Sequence, residues 1–178
     1  MPTMPLSVRR RLPTLRGLIL DIDGVLTDGR LHFGSTDEFK SFHVRDGHGL
    51  ALLLRSGFSI GIISGRSGKA TERRLEELGI QDFYLGVRDK SGAFDSLLGR
   101  WNMNAGETGV MGDDVTDLPL LARSGLAITV FDAHPAVRRQ AHWLTSAPGG
   151  FGAVREVADA LLFVRNREIA YRTEDHRC

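Results

Sequence analysis

The sequence has a single cysteine, and it is the last residue, Cys178. One terminal thiol closes no internal bridge, so a disulfide framework is excluded and nothing points to an oxidising compartment. Long hydrophobic runs are also missing. Stretches such as Leu50–Leu54 fall far short of the ~20 apolar residues of a membrane span. There is no excess of charge: 23 Lys and Arg face 22 Asp and Glu, which is not the profile of a general nucleic-acid binder. The N-terminus is basic (Arg9, Arg10, Arg11, Arg16) but lacks an apolar stretch of signal-peptide length. The expectation is therefore a protein with neither a membrane nor a nucleic-acid partner. Its 178 residues fit one domain able to bury a core without disulfides or structural metals.

Short apolar runs alternate with helix-like segments. Leu18–Leu20, Ile60–Ile63, Phe83–Leu85, Val110–Met111 and Leu126–Val130 read as buried strands, each short and followed by Gly or Asp. Helices are expected near Gly49–Arg55, Lys69–Leu78, Lys90–Leu98 and Asp114–Arg123, with Gly79 and Gly125 as stop signals. Val154, Val157, Ala158, Leu161 and Leu162 share one face of a last helix. This alternation predicts an α/β fold: a Rossmann-like parallel sheet with helices on both faces. Leu31–Phe33 and Phe39–Val44, separated by Gly34, Ser35, Thr36 and Asp37, interrupt it and read as a projecting β-hairpin. The expected organisation is a flexible basic arm over 1–15, the domain over 16–164 and a charged tail over 165–178.

Chemistry concentrates at the strand ends, where such sheets bind ligands. The first strand runs into Asp21-Ile22-Asp23-Gly24. Positions i and i+2 of a strand share a side, so Asp21 and Asp23 can face one cleft, and their mutual repulsion favours a cation. D-x-D-G is equally ordinary turn chemistry, so alone it leaves both readings open. A calcium-binding EF-hand is a weak alternative: the glycine is fourth rather than sixth, and a strand precedes. Three further strand ends tip the balance. Ser64-Gly65-Arg66 offers a hydroxyl and backbone amides near a helix start, a place that suits an anion. Lys90 opens a helix, where its charge opposes the dipole and an anionic partner explains it better. Asp113, Asp114 and Asp117 close the fourth strand. Together these groups can bind magnesium and phosphate and attack phosphorus.

At this point the sequence resembles the haloacid dehalogenase-like phosphatases. Their four signatures occur in order as DIDGVLTD (21–28), IISGR (62–66), Lys90 and GDDVTD (112–117), and the resemblance covers roughly Leu18 to Leu162. FHVRDGHG (42–49), DAHP (132–135) and PGGFGAVREV (148–157) look like the small capless branch. That branch includes the 3-deoxy-D-manno-octulosonate 8-phosphate and the nonulosonate 9-phosphate phosphatases. Only 26 positions separate Ser64 from Lys90, and 23 separate Lys90 from Asp113, which leaves no room for a cap domain.

The resemblance implies Mg2+ as cofactor, held by Asp21, the backbone carbonyl of Asp23, and Asp113. It implies Asp21 as nucleophile, Asp23 as general acid and then base, and Ser64 and Lys90 as holders of the phosphoryl group. Asp114, Gly65 and the segment His43, Val44, Arg45, Asp46 and Gly47 would contact substrate. Arg66 and Arg74 would bind its acid group, Arg74 by reaching a neighbouring subunit's site. It further implies a homotetramer assembled through the hairpin, with walls of the open site supplied by the hairpin and the Gly149–Gly152 segment of neighbours. Arg66 favours the eight-carbon substrate, since nonulosonate relatives can carry Glu there; the pathway would then be lipopolysaccharide inner-core synthesis and the setting a bacterial cytoplasm. His43 stands where octulosonate enzymes carry Asn, Ala51 where a basic residue occurs, and Phe151 is unusual in its Gly-rich segment.

Two readings of other classes remain beside it. A phospho-accepting receiver domain also has carboxylates, a hydroxyl and a lysine on an α/β sheet, but has no use for a proton donor at Asp23. A non-catalytic oligomerisation module would not need the complete signature set. The six histidines lack metal-ligand spacing. They read as surface or packing residues, with His43 excepted through its motif. Trp101 and Trp143 read as packing residues.

Overall fold

The computed structural model describes residues 4–34 and 38–174, with side chains through Arg165. In chain order the elements are α1 (Leu6–Arg11), β1 (Gly17–Leu20), β2 (His32–Phe33), β3 (Glu38–Phe39), α2 (Val44–Arg55) and β4 (Ser59–Ser64). Then come α3 (Lys69–Leu78), β5 (Asp82–Leu85), α4 (Lys90–Trp101), β6 (Thr108–Met111) and α5 (Leu118–Arg123). The chain continues through β7 (Leu126–Thr129), α6 (Pro135–Gln140), β8 (Trp143–Leu144) and α7 (Ala153–Glu174). Six strands form one parallel sheet in the order β5-β4-β1-β6-β7-β8.

The apolar runs are continuous because both faces of the sheet are covered. Alternate residues of each strand enter opposite cores. On one face Leu18, Leu20, Ile60, Ile62 and Ile128 pack with Leu50 and Leu53 of α2 and Val154, Val157, Ala158 and Leu161 of α7. On the other, Ile19, Ile63, Val110 and Ala127 meet Phe94 and Leu97 of α4 and Leu120 and Leu121 of α5. β1 lies at the centre, paired with β4 on one side and β6 on the other. From β1 the chain builds outward through β4 to β5 and then crosses back to β6. The loops after β1, β4 and β6 therefore leave the sheet side by side at its carboxyl edge. No helix among the described residues is long and apolar enough to cross a membrane.

The elements depart from the sequence reading in several places. The expected hairpin exists as an antiparallel pair, but its second arm is only Glu38–Phe39 and not Phe39–Val44. Lys40 turns inward, and α2 already starts at Val44. Gly47 and Gly49 are poor helix formers, which hid the first turn of α2; packing against α7 overrides them. The hairpin tip, Ser35, Thr36 and Asp37, lies outside the described residues. The N-terminal residues expected in a solvated arm include α1 and a following turn, with Val8, Leu12 and Leu15 buried against the α7 side of the core. The i, i+4 spacing of Val8 and Leu12 was the signal for it. The tail expected from residue 165 is helical in its backbone as far as Glu174, and 175–178 lie outside the described residues. The short elements α6 and β8 went unread.

The Gly-rich segment lies on the first-strand loop of its own chain. Gly150 N–H donates to Val25 O at 3.0 Å, and Gly150 has φ +70°. A Cβ on Gly149 would sit 1.8 Å from Gly24 O. Two backbones touch there, and only glycine allows it. Gly149→Ala should consequently cost about 1–3 kcal/mol of stability by overpacking, read as a lower urea midpoint. An unchanged midpoint would show that the two loops separate freely.

Candidate active site

Asp21 follows β1 directly, and its N–H donates to Met111 O of β6 at 3.0 Å. This bond extends the β1–β6 ladder by one residue and ties the two loops together. Gly24 turns the loop with φ +87°, and the space a Cβ would fill is taken by the Asp113 carboxylate, 2.1 Å from the Cβ position. The glycine of D-x-D-G is thus needed for a close approach as well as for a turn. Asp113 is held through its backbone: its N–H donates to Asp117 Oδ2 at 3.1 Å, and its carbonyl accepts from His134 N–H at 2.9 Å.

Asp117 organises this corner. Oδ2 also accepts from Asp114 N–H at 3.3 Å, while Oδ1 accepts from Lys90 Nζ at 2.6 Å. Lys90 sits at the first position of α4 with a side chain 6% exposed, and its Nζ lies 3.2 Å from Asp21 Oδ1. Burial works against the Lys90 ammonium, but Asp21 and Asp117 outweigh it and hold its pKa above the ordinary lysine value. The lysine that looked misplaced at a helix start is therefore paired twice.

Asp21, Asp113 and Asp117 each place a carboxylate oxygen within 4.8 Å of the others. Burial, with Asp117 adding repulsion, pushes Asp21 up from 3.8 to about 6, against the opposing pull of Lys90. Burial, followed by Asp21, Asp117 and Asp114, pushes Asp113 up to about 7. Asp113 Oδ1 is buried and accepts no hydrogen bond among the described residues, and buried Asp21 Oδ1 faces only the Lys90 ammonium at 3.2 Å. Buried carboxylate oxygens from two loops with so few partners are a donor set that a hard divalent cation satisfies. Magnesium fits these residues.

Asp23 is held from the hairpin. Lys40 Nζ donates to both of its oxygens, at 2.6 and 2.9 Å, and the Lys40 side chain is only 2% exposed. Arg66 Nε lies 3.8 Å from Asp23 Oδ2, and Arg66 Nη2 donates to Glu38 Oε2 at 2.5 Å. Ser64 closes β4, 2% exposed, with its Oγ accepting from Arg66 N–H at 3.3 Å. Asp21, Asp23, Ser64, Gly65, Arg66, Lys90, Asp113 and Asp114 all border one cavity of about 490 Å³. Gly29, Val87, Arg88 and Thr116 complete its lining.

The remaining expected substrate residues do not border that cavity. His43 lines a smaller hollow with Asp28, Ser41, Phe42, Gly150 and Phe151. Val44 is exposed, and Arg45 opens α2 beside it. Asp46 is buried, and its two oxygens accept from Arg155 N–H at 2.7 Å and Gly152 N–H at 3.1 Å, so it caps the start of α7. Gly47 packs against Arg74, whose guanidinium pairs with Glu77 at 2.9 Å.

The sequence reading missed Lys40 and Glu38, which sit on the hairpin arm that was read as structural. It noted Asp117 but gave it no task. Its spacing of four from Asp113 was the available signal. Nothing in the sequence marked Lys40, because its partner lies 17 positions earlier and meets it only through the hairpin.

Residues 86–154 match the haloacid dehalogenase-like hydrolase family. Over 162 residues, 90% of this chain and 87% of the relative, the sequence is 40% identical to the 3-deoxy-D-manno-octulosonate 8-phosphate phosphatase KdsC of Yersinia pestis. A structure of the putative 3-deoxy-D-manno-octulosonate 8-phosphate phosphatase from Vibrio cholerae superposes with a TM-score of 0.89 at 37% identity, covering 92% of both chains. The Moraxella catarrhalis 3-deoxy-D-manno-octulosonate 8-phosphate phosphatase, solved in complex with magnesium ion, phosphate ion and a KDO molecule, is also similar. It superposes with a TM-score of 0.88 at 32% identity, covering 94% of this chain and 97% of that one. With the signature residues gathered at one sheet edge and this likeness along nearly its whole length, the chain belongs to the 3-deoxy-D-manno-octulosonate 8-phosphate phosphatase family of haloacid dehalogenase-like hydrolases and is a phosphoric monoester hydrolase.

Proposed function

We propose that the chain is a magnesium-dependent phosphatase converting 3-deoxy-D-manno-octulosonate 8-phosphate to the free sugar acid and phosphate through an aspartyl-phosphate on Asp21. The observation that carries this reading is the single cavity shared by Asp21, Asp23, Ser64, Lys90 and Asp113, with a buried Asp113 oxygen that has no partner among the described residues and a buried Asp21 oxygen that faces only Lys90. The names of the relatives and the ligands of the Moraxella structure support the substrate and the metal.

Asp21 and Asp113 would hold the magnesium ion with the main-chain carbonyl of Asp23. Bound there, the ion supplies charge neutralisation for phosphoryl and carboxylate oxygens. Ser64 Oγ, the amides after it and Lys90 Nζ hold the phosphoryl oxygens. An Asp21 oxygen bonds to phosphorus as the ester P–O bond breaks, and Asp23 gives its proton to the departing sugar oxygen. Asp23 then takes a proton from a water that bonds to phosphorus, and the Asp21–phosphorus bond breaks to release phosphate. Lys40 Nζ, which bonds both Asp23 oxygens, holds the ionised Asp23 carboxylate between the two half-reactions, after it has given up its proton and before it takes one from water. Asp114 and Gly65 border the substrate. His43, Val44, Arg45 and Gly47 would reach it only from another part of the assembly, and Arg74 would serve a neighbouring subunit.

The assembly in this reading is a homotetramer in a bacterial cytoplasm. Support comes from the hairpin, which exposes Phe33 and Phe39 at 74% and 56%. Large apolar residues so exposed mark a contact surface.

Three outcomes are expected. Phosphate release with Mg2+ should favour the eight-carbon over the nine-carbon keto acid phosphate, and Asp21→Asn should fall to background because an amide is a poor nucleophile. Preference for the nine-carbon ester would replace the substrate, and full activity of Asp21→Asn would reject the mechanism. Light scattering should give a tetramer that Phe33→Ser with Phe39→Ser weakens; a fully active monomer would reject the assembly.

The third concerns pH. Asp21 and Asp113 have folded values of about 6 and about 7, above the 3.8 of the free side chain. The folded state thus binds protons more tightly than the unfolded one. Its stability contribution is present below about pH 4 and is lost as pH rises through 6 to 7. In EDTA the melting temperature of the wild type should fall relative to Asp113→Asn over that window. Excess Mg2+ at pH 7.5 should reverse the loss. A flat difference, or no response to Mg2+, would contradict the charge cluster.

A further inference from the structure

The cavity is bordered by three cations, Arg66, Arg88 and Lys90. Two are already engaged. Lys90 is paired with Asp117 at 2.6 Å and Asp21 at 3.2 Å. Arg66 is bonded to Glu38 at 2.5 Å and faces Asp23 at 3.8 Å. Arg88 is exposed, borders the same cavity, and its side chain has no hydrogen bond, ion pair or ring contact among the described residues.

We infer that Arg88 is a specificity-determining residue that receives the carboxylate of the sugar-acid substrate. The inference rests on the sugar-acid phosphatase reading above. The phosphoryl end of the substrate is drawn to Asp21, Ser64 and Lys90. A second anionic group on the same molecule must then lie away from those residues, toward the cavity mouth. At Arg66 it would join a guanidinium that already bonds Glu38 and faces Asp23, and both of those carboxylates oppose a third anion there. At Arg88 it displaces only water. The guanidinium stays charged at every working pH and matches a carboxylate with two parallel N–H donors. Four carboxylates, Asp21, Asp23, Asp113 and Asp114, border the cavity as well. An incoming acid group is repelled wherever no cation intervenes, so an unengaged arginine selects for the acid over a neutral sugar phosphate.

Arg88 sits in the turn between β5 and α4, next to Asp89, whose side chain accepts from Ser91 N–H at 3.0 Å and caps α4. That cap fixes the backbone from which Arg88 projects. Arg74, the second acid-binding arginine implied by family resemblance, is paired with Glu77 and does not border the cavity of its own chain. Within one chain, Arg88 is thus the cation available for the acid group.

The test measures kcat/KM with Mg2+ on 3-deoxy-D-manno-octulosonate 8-phosphate, a nine-carbon keto acid phosphate and neutral glucose 6-phosphate, for wild type, Arg88→Gln and Arg88→Lys. A charged hydrogen-bonded contact corresponds to a loss of about 10- to 100-fold. Arg88→Gln should lower the acid-to-neutral ratio by that factor, mainly through KM, with partial recovery in Arg88→Lys. A ratio unchanged in Arg88→Gln overturns the inference, as does a wild type with no preference for acid esters. A wild type that prefers the nine-carbon acid, with a preference that Arg88→Gln erases, overturns the proposed substrate and leaves the role of Arg88 standing. Melting temperatures of the three proteins exclude a folding defect as the cause of any loss.

Discussion

Everything at the active edge follows from holding Asp21, Asp113 and Asp117 within 4.8 Å of one another in a place poorly reached by water. Like charges so close are unfavourable, and one buried ammonium, Lys90, relieves only part of the repulsion. The raised values of Asp21 and Asp113 express what remains. The same unrelieved charge makes the site a receptor for a divalent cation and, with that cation, for a phosphate ester. The fold must therefore supply stability elsewhere to keep the cluster together. It does so through the two cores on either side of the sheet.

The loops are brought into position by contacts between backbones. Asp21 N–H to Met111 O continues a ladder, Gly24 makes room for Asp113, and Gly149 lies against Gly24. Each leaves no space for a side chain. The Gly-rich segment was expected to wall a neighbour's site. Within the chain it backs the loop that carries Asp21, and Asp46 anchors its far end by capping α7. A segment expected to wall a neighbouring site is in this way also part of the frame that holds Asp21.

The hairpin has two faces with different chemistry. Its outer residues Phe33 and Phe39 are exposed, whereas Glu38 and Lys40 turn toward Asp23 and Arg66. Period-two alternation along β3, continued into the residue after it, accounts for the split: Glu38 and Lys40 share one side and Phe39 the other. The element expected to project for assembly also supplies the lysine that pairs with the proposed proton donor.

The parallel sheet and the catalytic strand ends were legible in the sequence because both are local. A buried parallel strand needs an apolar run, a ligand loop needs Asp or Gly directly after it, and Asp21, Asp23, Ser64, Lys90 and Asp113 each sit at such a junction. The family motifs added roles to positions already marked. The tertiary structure alone decided the pairing of Lys40 with Asp23, the double engagement of Lys90 and the capping of α7 by Asp46. It alone showed that, among the described residues, Arg88 is unengaged while Arg66 is not. Those facts depend on residues far apart in the chain, 109 positions in the case of Asp46 and Arg155. Local propensity records which side chains can form an ion pair or a cap; only packing determines which partner stands within reach.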